Sequence, residues 1–127
     1  MTPAATSSEE GRALELINRE RANVGLGPLQ LDDGARAVAR SWSAQMASSG
    51  LAHNPDLVGD LERAGVIDWR TIGENVGHGS DVDQVHGAFM ASRTHRANML
   101  QGAYSHVGIG IVRGGGTLWI TMDFVGY

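Results

Sequence analysis

The sequence predicts an α+β domain in which helices pack on a small antiparallel sheet. Three observations carry this. Apolar residues recur at helical spacing through the first half of the chain. Two late runs, 106–111 and 118–124, alternate apolar residues with polar residues or glycine, the period of a strand. Gly114-Gly115-Gly116 lies between them and supplies the turn of a hairpin.

In chain order, Ser7 and Glu10 have the spacing of a capping box, with Ser7 as N-cap of a first helix. Leu14, Ile17 and Val24 share one face of it, with Ala13 and Leu16 beside them. Glu9, Arg12, Glu15, Arg19 and Arg21 form polar flanks. Gly25 ends the helix, and 26–30 reads as an irregular link broken by Gly27-Pro28. Asp32 or Asp33 caps a second helix whose apolar face is Ala35, Val38, Ala39, Trp42 and Met46. Gly50 stops it. Pro55 disfavours the α region for Asn54, so 51–55 leaves in an extended form.

A short helix follows over 56–64, carrying Leu57 and Leu61 and closed by Gly65. The stretch 66–69 reads as a buried connector. Thr71-Ile72-Gly73-Glu74-Asn75-Val76-Gly77-His78-Gly79 reads as a strand. Ser80 or Asp81 caps the next helix, with Val82, Val85 and Phe89 inward. Thr94 reads as the N-cap of a last short helix holding His95, Arg96, Asn98, Met99 and Leu100.

A length of 127 residues suggests one domain. Residues 1–7 read as a linker and 8–127 as the domain. A chain of this size buries roughly two-thirds of its unfolded surface, enough for one core. The net charge is −4 with no basic block, which argues against a nucleic-acid partner. The apolar runs fall well short of the about 20 residues a membrane helix needs. The absence of cysteine excludes disulfides and thiolate metal sites without fixing a compartment. The first ten residues hold no apolar core of a signal peptide.

The candidate chemistry centres on Glu74, pinned in a glycine-punctuated run. His53 and His95 lie equally far on either side of it in sequence. Taken singly, each histidine reads as a surface or hydrogen-bonded residue, and no His-Glu-x-x-His helix is present. Trp42 reads as core, and Gly108 and Gly110 either clear space beside a cleft or let a helix approach closely.

In four ordered pieces the chain resembles the CAP family (cysteine-rich secretory, antigen 5 and pathogenesis-related proteins) in its cysteine-free bacterial form. The pieces are the opening helix with Gly27-Pro28-Leu29, then Ala52-His53-Asn54, then Ile72-Gly73-Glu74-Asn75-Val76. The last is Ser92-Arg93-Thr94-His95-Arg96-Ala97-Asn98-Met99-Leu100 with its following strand His106-Val107-Gly108-Ile109-Gly110. The resemblance implies a three-layer α-β-α sandwich with an open cleft holding two histidines and two acids. His53 and His95 match the histidines and Glu74 matches one acid. Ser92 stands where the second acid is expected, so the tetrad is incomplete.

The resemblance implies that His53, His95 and Glu74 cluster and could hold Zn²⁺ or a similar divalent ion, with a water in the fourth position. It also implies an extracellular or cell-envelope location; a monomer is expected. Three functions follow as expectations. One is a binding module for a small-molecule, lipid, glycan or protein ligand. Another is a metal-dependent hydrolase with Glu74 as general base and Ser92 as a hydroxyl donor. The third is a structural interaction domain. Asn75, His78, Arg96 and Asn98 are expected as cleft or structural support, while His86 and His106 read as packing or surface residues.

Overall fold

The computed structural model describes residues 7–127. The linker expected over 1–7 lies outside them except for Ser7. The elements run α1 (Ser8–Asn23), β1 (Gln30–Leu31), α2 (Asp33–Ser49), α3 (Leu57–Arg63), β2 (Thr71–Gly79), α4 (Val82–Ala91), α5 (Arg93–Met99), β3 (His106–Gly114) and β4 (Thr117–Gly126). The capping box at Ser7 and Glu10 forms as its spacing predicts. Asp32 caps α2 and Asp81 caps α4, each accepting a backbone N–H from three residues on.

The strand order is β1-β3-β4-β2. The sheet is mixed rather than purely antiparallel, because β1 pairs parallel to β3. The expected irregular link therefore ends in a two-residue strand. The Gln30 and Asp32 N–H groups bond the carbonyls of Ser105 and Val107. The β3–β4 hairpin closes through Gly115 and Gly116 at φ 62° and 79°. A two-residue turn with both central residues at positive φ is the kind that matches strand twist.

Both faces of the sheet are covered. One carries Val107, Ile109, Leu118, Ile120, Met122 and Phe124, packed under α1, α4 and Met99 of α5. The other carries Val125 beneath α2 and Leu61 of α3. Helix α2 lies on β3 main chain to main chain. A Cβ on Gly108 would collide with the backbone of Ala35 and Arg36, and one on Gly110 with that of Ala39 and Arg40. Close helix approach is thus the role of these two glycines. Ser43 is fully buried in this contact, donating to the Gly110 carbonyl at 2.7 Å and bonding Thr121 Oγ1 at 2.8 Å.

Several expected positions differ. Val24 is exposed because α1 ends one residue before it. Two charged residues of α1 are buried instead. Glu10 accepts from the Ile111 N–H at 3.1 Å and from Arg40. Arg21 donates to the carbonyls of Gly27, Met99, Gln101 and Tyr104. Trp42 is only half-buried, its indole N–H bonding the Ala52 carbonyl at 2.8 Å. The connector after α3 buries Val66 but exposes Ile67, next to Asp68 at φ 60°. Ser92, not Thr94, is the N-cap of α5.

Candidate functional site

Strand β2 is an edge of the sheet, and the site straddles it. Strand alternation sends Glu74 to the α2 side, opposite Asp123, and Asn75 to the α5 side, opposite Met122. His53 arrives in the segment after α2, once Gly50 at φ 97° has ended the helix. His95 arrives on α5 from the other face.

His53 Nδ1 lies 2.9 Å from Glu74 Oε1, and the Asn54 N–H donates to the same oxygen at 2.9 Å. The Glu74 side chain is 4% exposed and that of His53 66%. An ionised carboxylate only accepts hydrogen bonds, so the pairing places the imidazole hydrogen on Nδ1. The Nε2 lone pair is then left for solvent or a ligand.

His95 Nδ1 is 2.8 Å from Ser92 Oγ, and its ring stacks on Phe89 at 4.7 Å and 21°. Burial, followed by the charge of His53, lowers the His95 pKa from its usual value, and a hydrogen bond to the Val76 backbone opposes the shift. A lowered histidine pKa means a neutral ring at pH 7. A groove of about 220 Å³ runs beside it, walled by Leu51, Val76, Val85, Phe89 and His78.

The remaining expected residues separate clearly. Asn75 donates to the His95 carbonyl at 3.0 Å. Asn98 donates to the Glu74 carbonyl at 3.2 Å and to Asn75 Oδ1 at 2.9 Å, so these amides tie α5 to the rim of the sheet. His78 is exposed and packs against Trp119 at 5.0 Å between centroids. Arg96 is exposed and lines a separate surface groove with Arg93. His86 bonds Glu20 at 2.9 Å, and His106 bonds Ser105.

Two neighbours were not singled out from sequence. Asn54 is buried and links Glu74 to Asp60, which it meets at 3.0 Å through its side chain. Its signal was the Pro55 that fixes its backbone. Asp123 is wholly buried, and neither of its carboxyl oxygens has a hydrogen-bond partner; Glu74 Oε2 is buried and unpartnered too. Burial first, and then Glu74, drive the Asp123 pKa well above the usual carboxylate range.

This donor set does not fit a resident zinc bound through Glu74. One Glu74 oxygen is shared by two N–H donors and the other is buried. Both the Ser92 hydroxyl and the Val76 backbone engage the His95 ring. Among the described residues, no three histidine, aspartate or glutamate side chains are grouped to hold a metal ion. Glu74 is likewise too enclosed to take a proton from a water in the groove. The His53 side chain is by contrast 66% exposed, with Glu74 orienting its ring through Nδ1.

Comparison with known proteins adds to this geometry. The profile of the cysteine-rich secretory protein family, CAP, matches residues 14–124. An uncharacterized protein of Bacillus subtilis (strain 168), YkwD, is 34% identical over 129 residues, covering 98% of this chain and 49% of that protein. The chain therefore spans about half the length of the curated relative it matches. An outer surface protein from Borrelia burgdorferi superposes with a TM-score of 0.86 at 14% identity, covering 97% of this chain and 96% of that one. An extracellular protein containing an SCP domain from Bacillus anthracis str. Ames gives 0.82 at 21% identity, over 98% and 45%.

Proposed function

Because this chain belongs to the CAP family of cysteine-rich secretory proteins, we propose that it works outside the cytoplasm as a binding domain for a small amphipathic ligand. One observation carries this reading: the groove has an apolar wall and is lined by two imidazoles, His78 and His95, with His53 near enough for its charge to act on His95. Val85, Phe89 and Leu51 suit an apolar body. His53 Nε2 offers an acceptor for a ligand hydroxyl or amide N–H. Leu51 is 52% exposed in the free protein, an apolar side chain that a bound ligand would cover. No helix among the described residues is long and apolar enough to cross a membrane.

The test is ligand-observed NMR with a fragment library of apolar rings bearing amide or hydroxyl groups. Binders should lose their signal changes with Leu51→Ser and with His53→Ala. Binding untouched by both substitutions would place the ligand elsewhere. Zn²⁺ is titrated by calorimetry in the same series, and no saturable heat is expected. A one-site isotherm abolished by His53→Ala would install a metal at the groove instead.

A second reading has its own observation, the pairing of His53 with a buried carboxylate. That pair has the parts of a general base. Hydrolysis of a bound ester or amide would then depend on His53, and Glu74→Gln would lower turnover by loosening the ring rather than by removing the base.

A further inference from the structure

We propose that Asp123 is a protonated carboxyl group that donates its hydrogen to Glu74 Oε2, making it the positioning residue behind His53. Four observations meet here. Asp123 lies directly across the β2–β4 ladder from Glu74, so the two side chains rise side by side from the same face of the sheet. Asp123 is wholly buried, and the Glu74 side chain nearly so. Three carboxyl oxygens are left without a partner: both of Asp123, and Oε2 of Glu74. The opposite edge of Asp123 faces Gly108, where the main chain of Ala35 and Arg36 closes the space.

Two ionised carboxylates cannot share such a place. Each only accepts hydrogen bonds, and like charges at contact distance exclude joint ionisation. One proton resolves the conflict, because a carboxylic acid donates and its neighbour accepts. Glu74 is the member that stays ionised, since Oε1 already receives hydrogen from His53 and from the Asn54 N–H. Asp123 has no donor of its own and is the member that holds the proton. The other charged group acting on Asp123 is Asp60 of α3, which further opposes its ionisation. A cation in place of the proton would require more ligands, and among the described residues no three histidine, aspartate or glutamate side chains are grouped to hold one.

The result is a line of groups from the interior to the exposed His53 ring. Asp123 O–H bonds Glu74 Oε2, Glu74 Oε1 bonds His53 Nδ1–H, and Nε2 faces solvent. The proton on Asp123 keeps Glu74 anionic, and the anionic Glu74 keeps His53 in the Nδ1–H form. A coupled pair of this kind titrates as a unit.

This inference rests on the His53–Glu74 pairing used above, but it is tested on the ligand-free protein, so a failure to find a ligand leaves it standing. Carboxyl carbons are followed by ¹³C NMR from pH 3 to 9, and the His53 tautomer by ¹⁵N shifts. The expected result is Asp123 still protonated at pH 7, with Glu74 ionised. Asp123→Asn keeps a donor and should retain the Nδ1–H tautomer. Asp123→Val removes it and should shift His53 toward the mixed tautomers of a free imidazole. An Asp123 that ionises near the ordinary aspartate value of 3.8 overturns the proposal, as does an unchanged His53 tautomer in Asp123→Val. Should that variant fail to fold, the wild-type carboxyl titration decides alone.

Discussion

Arg21 Nη1 donates to the main-chain oxygen of Met99 at 2.9 Å, joining α1 to the end of α5 across 78 positions of sequence. The same guanidinium also serves Gly27, Gln101 and Tyr104 and is 2% exposed. Its acceptors are carbonyl dipoles rather than a carboxylate, and burial lowers its pKa. Arg21→Met leaves four carbonyls short of a donor and should cost about 2–4 kcal/mol. Urea unfolding checks this as a lower midpoint at constant slope. A loss below about 1 kcal/mol would mean that water replaces the guanidinium.

The glycines of β3 predict a contrast. Gly110→Ala drives a methyl group into the backbone of Ala39 and Arg40 and should destabilise by about 3 kcal/mol or more. Gly87, in the middle of α4, has open space around a Cβ. Gly87→Ala should stabilise by about 0.5–1 kcal/mol, because alanine forms helix better than glycine. Thermal melts of the two variants should move in opposite directions.

The pH dependence follows from His95. Its folded pKa lies below the usual histidine value of 6.5, so the unfolded chain binds its proton first as pH falls. The stability it contributes is fully present above about pH 6.5 and is lost as pH drops toward the folded pKa. His95→Gln removes that loss. Denaturation from pH 8 to 5 should therefore show wild type weakening more steeply than the variant. Parallel curves would show that His95 titrates alike in both states.

Much of this was legible in the sequence, because local rules agree with the tertiary result. The caps at Ser7, Asp32 and Asp81 are formed by side chains bonding backbone three residues away, and short-range spacing reveals such bonds. The strand nature of 71–79 was legible too. The resemblance implied a cluster of His53, His95 and Glu74; the structure has the His53–Glu74 contact, while the His95 ring bonds Ser92 and the Val76 backbone. Asp123 was not legible. In a strand that alternates, a polar residue reads as solvent-facing, and only the seating of α2 on Gly108 and Gly110 turns that face into an interior. Arg21 and Glu10 escaped for a related reason. Charge on a helix flank predicts exposure unless distant backbone groups need it, and those groups come from segments near residues 100 and 111.

Helix α5 and the amide of Asn98 occupy the outer carbonyl of Glu74, on a strand that has a neighbour on one side alone. A strand with an open flank invites a second molecule to bond along it. The Asn98 amide therefore doubles as a guard against pairing along this edge. A substitution that removes the Asn98 amide would, by the same stroke, leave that stretch of the edge open to pairing with a second copy.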